Sequence, residues 1–367
     1  MSYLIRFVLL PFLCSLTASL LLTWLVRFLA RTFKVLDKPG AHKQHERPTP
    51  TLGGVAVFLA FALGLACLGP LSMKLKVILL SGGFLVLVGL VDDLRGVNAN
   101  IKLLCLALAT CILYAGGIRL DTGGIQGLAA LLATFLWIGL VASAFNGVDN
   151  ADGAAGGLAA ISSLATFFIS WYTWQHELAV ISLLLCGSSL GFLFFNFPRP
   201  KATIFLGDSG SLFLGFCLGI FTVLGEWSDT DWKAAVLAVS LVLVPLFDFG
   251  LILVVRGLDG RYKRWDDPIR MCARDHTFHR LRALGLSPRA ALGCLYIGGA
   301  ATGLFSLVGT LRPDWLRVET VAQLIGFLGL LAFLLWRVPL PPGAYGEDDS
   351  TSMTSLEVEQ TIVRTGR

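Results

Sequence analysis

Apolar residues in this chain fall into long uninterrupted blocks, not into the alternation of strands or the one-sided stripes of surface helices. Between charged or Gly/Pro-rich breaks, eleven blocks lie at about 4–29, 53–71, 75–91, 102–118, 128–145, 156–174, 178–195, 211–225, 234–255, 289–310 and 320–337. Most have the roughly 17–25 residues that a helix needs to cross a hydrocarbon core. The pattern predicts an all-α, polytopic integral membrane protein of about eleven transmembrane helices. Ten is the alternative if the closely spaced second and third blocks are miscut. The first block is too long for the apolar region of a signal peptide and lacks a small-residue cleavage site, so it reads as a retained helix. No internal repeat is visible. Residues 1–338 read as one transmembrane domain. Residues 339–367, Pro/Gly-rich and then acidic and Ser/Thr-rich, read as a disordered cytoplasmic tail.

Composition agrees: 55% of residues are hydrophobic and 14% charged, against about a quarter charged in soluble domains. The net charge of +5 is modest, and nothing suggests a nucleic-acid partner. The placement of charge says more. Loops after the first, third, fifth, seventh and ninth blocks, with the helix ends feeding them, hold nineteen Lys and Arg from Arg27 to Arg289, and the others hold six. The positive-inside rule then predicts an external N-terminus and a cytoplasmic C-terminus. Of the eight cysteines, seven lie in apolar blocks and none forms a CxxC or Cys/His spacing. They read as small buried side chains, not disulfides or zinc ligands.

Every polar cluster with chemical potential falls on the predicted cytoplasmic side. The third block ends in V-G-L-V-D-D-L-R-G, placing Asp92 and Asp93 where an apolar helix meets water. Adjacent carboxylates repel, and Mg²⁺, bound by a few carboxylates and substrate phosphate oxygens, would relieve them. A solvated helix end is the plainer alternative. The loop after the fifth block carries Asn146, Asp149, Asn150 and Asp152 with no basic neighbour. Such residues also build ordinary turns, but a short inner loop without Lys or Arg is unusual. Asp208 lies in F-L-G-D-S-G-S at the start of the eighth block, where free backbone N–H groups favour phosphate and a carboxylate can hold a bridging metal. An Asp/Ser helix cap would look the same. In the first inner loop Asp37, His42, Lys43, His45 and Arg47 suit either an anionic substrate or lipid headgroups. The loop after the ninth block holds Arg274, His276 and His279 in R-D-H-T-F-H-R-L, which fits phosphate recognition better than zinc. Asp248 lies within the ninth block, and its role reads as either functional or structural.

Together these segments resemble the polyprenyl-phosphate N-acetylhexosamine-1-phosphate transferases (glycosyltransferase family 4, WecA-type and MraY-like), in family order from about Asp37 to Ser287. The family's D-x-P-x-x-R-K-x-H-x-x-P-x-P-x-x-G-G is matched by Asp37, Pro39, Lys43, His45, Pro48, Pro50, Gly53 and Gly54, with His42 in place of arginine. The metal-associated pair is matched by Asp92 and Asp93, with Lys102 at the family's spacing. N-x-x-D-x-x-D-G maps onto Asn146, Asp149, Asp152 and Gly153, with Asn150 replacing a common glycine. Asn196 and the run around Asp208 map onto the family's Mg²⁺-binding region. The late H-x-H-H is met by His276 and His279, with Phe278 as its middle residue.

The resemblance implies helices around a cytoplasm-facing cleft in the bacterial inner membrane, with residues 1–338 as the catalytic domain. The implied reaction transfers an N-acetylhexosamine-1-phosphate, GlcNAc-1-phosphate first among them, from a UDP-sugar to undecaprenyl phosphate, with release of UMP. It implies Mg²⁺, with Mn²⁺ as substitute, on Asp208, Asp92 and Asp93. The catalytic set is Asp92, Asp93, Asp149, Asp152, His276 and His279. Lys43, His45, Lys102, Asn146, Asn196 and Arg274 would contact substrate. Other readings are transfer of phospho-MurNAc-pentapeptide, use of another UDP-N-acetylhexosamine, and, in a different class, a secondary transporter, which should show repeats and broken helices.

Overall fold

The computed structural model describes residues 8–37, 48–120, 125–199, 201–262, 273–340 and 344. They form thirteen helices and one short ribbon. The helices are α1 (Leu10–Thr32), α2 (Gly53–Ala66), α3 (Met73–Arg95), α4 (Ala99–Ala115), α5 (Gly127–Val148), α6 (Ala154–Tyr172), α7 (His176–Asn196), α8 (Asp208–Leu224), α9 (Asp231–Leu241), α10 (Leu243–Leu258), α11 (Thr277–Ala283), α12 (Pro288–Leu311) and α13 (Val318–Trp336). Strands β1 (Leu36–Asp37) and β2 (Thr49–Pro50) pair antiparallel, with Asp37 opposite Thr49. The tail beyond Ala344, and the first-loop residues His42, Lys43, His45 and Arg47, lie outside the described residues.

Each of the eleven apolar blocks is occupied by a helix or a bent pair. Seven helices are long and apolar enough to cross a membrane, or eight when α9 and α10 count as one span; α2, α4 and α8 are shorter apolar helices. The chain is thus a multi-pass membrane protein. The ninth block departs from the expectation of a single rod, because α9 and α10 meet at 83°. Pro245 in the first turn of α10 has no N–H to continue a ladder from α9, so the chain restarts there. Helix α11, inside the large basic loop, is not one of the eleven blocks. Starts are marked by side-chain caps: Ser72 accepts from Leu75 N (3.2 Å), Asn98 from Asn100 N (2.9 Å), and Ser287 from Ala290 N (3.2 Å).

Helices α6, α7 and α8 form the centre, with Phe192, Phe213, Phe216 and Phe221 fully enclosed. Helix α13 lies at the rim, with only Leu335 buried. In lipid, apolar surface alone does not drive helices together, so close backbone approach carries the packing. Ser19 of α1 donates its hydroxyl to Ser188 O of α7 at 2.6 Å. The tightest approach joins α2, α3 and α8: a Cβ on Gly54 would lie 2.0 Å from Gly210 N, and one on Gly89 would lie 2.4 Å from Ser209 N. These two glycines let the start of α8 sit between α2 and the end of α3. The segment before α8 is also tied by backbone bonds, Phe205 N to Pro50 O (2.8 Å) and Gly54 N to Leu206 O (2.8 Å).

Candidate active site

One end of the bundle gathers the polar residues. It comprises the ends of α3, α5, α7 and α10, the starts of α4, α6 and α8, and helix α11. Asp92 and Asp93 are neighbours in sequence but have different surroundings. Asp93 accepts three hydrogen bonds from the first turn of α8: Asp208 N (2.8 Å), Ser209 N (3.2 Å) and Ser209 Oγ (2.8 Å). It thus caps a helix 115 residues downstream. Gly207 makes room for it, having a positive φ of 76° and space for no Cβ, which would lie 2.6 Å from Asp93 Oδ2.

Asp92 turns to the other side. Its Oδ1 accepts Val97 N at 2.5 Å, and its Oδ2 accepts Lys102 Nζ at 2.8 Å. The same Lys102 ammonium lies 2.8 Å from Asp208 Oδ2. Two carboxylates from α3 and α8 therefore converge on one cation supplied by the first turn of α4. Asp149, directly after α5, lies near Asp208, Asp93 and Asp152. Burial, and then these like charges, pushes its carboxyl well above the usual carboxylate range.

The remaining residues frame this cluster. Asn146 donates to Ser211 Oγ at 2.9 Å, joining α5 to α8. Asp152 Oδ2 accepts Ala202 N at 3.1 Å. Asn196, expected at the substrate, is 3% exposed and used in a clip. Its Oδ1 accepts Gly153 N (2.8 Å) and its Nδ2 donates to Ile204 O (2.9 Å), holding the start of α6 to the segment before α8. With both side-chain groups on backbone, it positions the loops that carry Asp152 and Asp208.

His276 and His279 lie on or beside α11, and their surroundings differ too. His276 Nδ1 is 2.6 Å from Asp248 Oδ2, and its Cε1 edge lies against Gly147, where an added Cβ would be 3.4 Å away. This contact brings α11 to the end of α5, two residues before Asp149. His279 is pushed down to about 4 by burial, followed by repulsion from His276, so it is neutral at physiological pH. Arg274 donates its backbone N–H to Ala344 O at 2.7 Å. The sequence reading missed the pair beneath this segment: Arg256 holds Asp275 through two 2.7 Å bonds, with both side chains buried. The only signal was an arginine ending an apolar block and an aspartate between Arg274 and His276.

Among the described residues no three His, Cys, Asp or Glu side chains form a ready metal-ligand set. The oxygens of Asp92 and Asp208 nevertheless meet at a position already held by a cation. Such a hard-oxygen pair fits Mg²⁺, which keeps waters and takes further oxygens from phosphate instead of needing a protein cage. Asp93 fits less well, since three donors already engage its two oxygens.

These features define a class: a polytopic helical membrane protein with an acidic and basic site at one end of its bundle. The chain belongs to glycosyl transferase family 4, whose match covers residues 75–226 and includes the cluster from Asp92 to Asp208. It is therefore a transferase. It is 30% identical over 331 residues to a Bacillus subtilis (strain 168) protein named "Probable undecaprenyl-phosphate N-acetylglucosaminyl 1-phosphate transferase", covering 88% of this chain and 90% of that one. It is 30% identical over 370 residues to the decaprenyl-phosphate N-acetylglucosaminephosphotransferase of Mycolicibacterium smegmatis, covering 89% of each. It is 25% identical over 330 residues to the undecaprenyl-phosphate alpha-N-acetylglucosaminyl 1-phosphate transferase of Escherichia coli O157:H7, covering 86% of each.

Proposed function

We propose that this protein transfers GlcNAc-1-phosphate from UDP-GlcNAc to undecaprenyl phosphate and releases UMP, at the cytoplasmic face of the bacterial inner membrane. The observation that carries this reading is the convergence of Asp92 and Asp208 on the Lys102 ammonium, beside Asp149 and at helix ends. A lipid phosphate and a nucleotide diphosphate repel each other, and a reaction between them needs cations in fixed places. The names of the relatives support the acceptor and the sugar phosphate. The orientation rests on the nineteen-to-six split of Lys and Arg between the two sets of loops.

Asp208, with Asp92, would hold Mg²⁺, which when bound supplies charge neutralisation at the diphosphate. An oxygen of the lipid phosphate attacks the β-phosphorus of the UDP-sugar. As that bond forms, the bond from the β-phosphorus to the bridging oxygen breaks, and UMP leaves with the bridging oxygen. Asp149 is suited to accept the proton of the lipid phosphate, because its raised pKa makes it a stronger base than an ordinary carboxylate. We assign Lys102, Arg274 and His276 to binding phosphate oxygens, and Lys43 and His45 of the first loop to the same task. The bent pair α9–α10 is a feature shared with transporters, but Asp248 on α10 is engaged by His276 and Thr277.

The test is UMP release by purified protein given undecaprenyl phosphate, Mg²⁺ and a panel of UDP-sugars. Release with UDP-GlcNAc supports the whole reading. Release only with another sugar keeps the reaction and replaces the donor. No release from folded protein with any UDP-sugar overturns it.

A further inference from the structure

The structure assigns Asp248 as the positioning residue that orients His276 by taking its Nδ1–H, so that an Nε2–H is left to donate to substrate phosphate. The assignment rests on the transferase reading for what His276 touches, but not for the pairing itself. Asp248 lies in α10 and is 3% exposed. Its Oδ1 accepts Thr277 N at 2.6 Å and its Oδ2 lies 2.6 Å from His276 Nδ1. An ionised carboxylate is an acceptor only, so the Nδ1 facing Asp248 Oδ2 carries a proton. A phosphate oxygen only accepts, so Nε2 meets it as an N–H, and Asp248 is then the counter-charge of a ring that donates at both nitrogens.

A carboxylate buried within an apolar helix is costly and needs a partner. Arg256 of the same helix, eight residues or about 12 Å further on, is already taken by Asp275. Helix α10 thus presents one carboxylate and one guanidinium to two consecutive residues, His276 and Asp275. Arg280 adds a third tie by donating Nε to Asp275 O at 2.8 Å and Nη1 to Leu335 O at 2.9 Å. Arg256 and Arg280 anchor the backbone of this segment, and anchoring alone needs no carboxylate on the imidazole. Asp248 acts on the ring, which lies against Gly147 at the end of α5.

The deciding experiment uses the full chain in detergent, labelled with [15N]histidine, with His276 assigned by its loss in H276A. The wild type should show Nδ1 protonated, with Nε2 protonated as well when UDP-sugar is bound, and D248N should leave Nδ1 bare. In UMP-release assays D248N should lower kcat at least about tenfold while KM for the UDP-sugar moves less than about twofold. D248N combined with H276A should be no slower than H276A alone, since a residue acting only through His276 has nothing left to act on. A wild-type spectrum with Nε2 protonated and Nδ1 bare overturns the assignment even if D248N does not fold. Equal further losses from D248N in both backgrounds overturn it as well. If the wild type turns over no UDP-sugar, the transferase reading fails, and the spectra still decide the pairing.

Discussion

Asp93 Oδ1 accepts the backbone N–H of Asp208 at 2.8 Å, so the end of one apolar helix holds the start of another that begins 115 residues later. The bond sets where the Asp208 carboxylate stands. Because α8 is fixed at its first residue, the Asp208 side chain is left to face Lys102 and, across it, Asp92. The adjacent aspartates of α3 thus divide two tasks, one architectural and one electrostatic.

Replacing Asp93 by Ala should therefore act first on stability. It leaves three donors at the start of α8 without their acceptor, a loss of roughly 2–4 kcal/mol when hydrogen bonds to a charged group are counted and partial exposure is allowed for. Thermal unfolding in detergent should show a lowered midpoint. Mg²⁺ affinity of the protein that remains folded should fall only as far as Asp208 loses its fixed place, well short of the loss in Asp208→Asn. A large loss of Mg²⁺ affinity with an unchanged midpoint would return Asp93 to the metal site.

Asp208→Asn should behave in the opposite way. The amide keeps the size of the side chain and the backbone N–H bonded to Asp93, so the midpoint should change little. UMP release should fall by about a thousandfold, equivalent to ~4 kcal/mol of transition-state stabilisation. EDTA should abolish release by the wild type. Activity that survives both treatments would remove the metal and Asp208 from the mechanism.

Much of this arrangement was legible from residue order. The apolar blocks became helices because a membrane leaves backbone groups no other partner, and the polar clusters sat at one end because each followed or preceded a block. What the sequence could not separate were residues with the same chemistry and different neighbours. Asp92 and Asp93 are identical and adjacent, and only the approach of Gly89 to Ser209 decides which one meets α8. Asn196 carries a substrate-like amide, but its bonds to Gly153 and Ile204 depend on three segments folding together. The 83° break between α9 and α10 was hidden because hydropathy averages over a bend, and Pro245 in a first turn reads like any helix start. The Arg256–Asp275 and Asp248–His276 pairs cross a long basic loop, a separation at which spacing carries no information.

His279 should contribute a measurable acid sensitivity. Its pKa falls from 6.5 to about 4 on folding, mainly because burial opposes the charged ring. Between these values the unfolded chain binds the proton more readily than the folded one, so stability rises with pH across the window and is lost as pH falls through it. The thermal midpoint of the wild type should drop from pH 6.5 toward pH 4, and the drop should be smaller in His279→Gln. An equal drop in both proteins would show that other groups carry it.

Lys102→Met should separate metal binding from catalysis by moving them in opposite directions. The ammonium neutralises Asp92 and Asp208 at 2.8 Å each and holds the position that a divalent ion would take between them. Removing it leaves two carboxylates without their counter-ion, a cost of about 1–2 kcal/mol at this partly exposed site. Mg²⁺ then has no resident competitor, so its affinity in the absence of substrate should rise, and added Mg²⁺ should raise the thermal midpoint more than in the wild type. UMP release should nevertheless fall by at least about a hundredfold, because a cation that binds phosphate during the reaction has been lost. Weaker Mg²⁺ binding in the variant would mean that Lys102 organises the carboxylates for the metal and does not compete with it. Unchanged UMP release would remove Lys102 from the reaction.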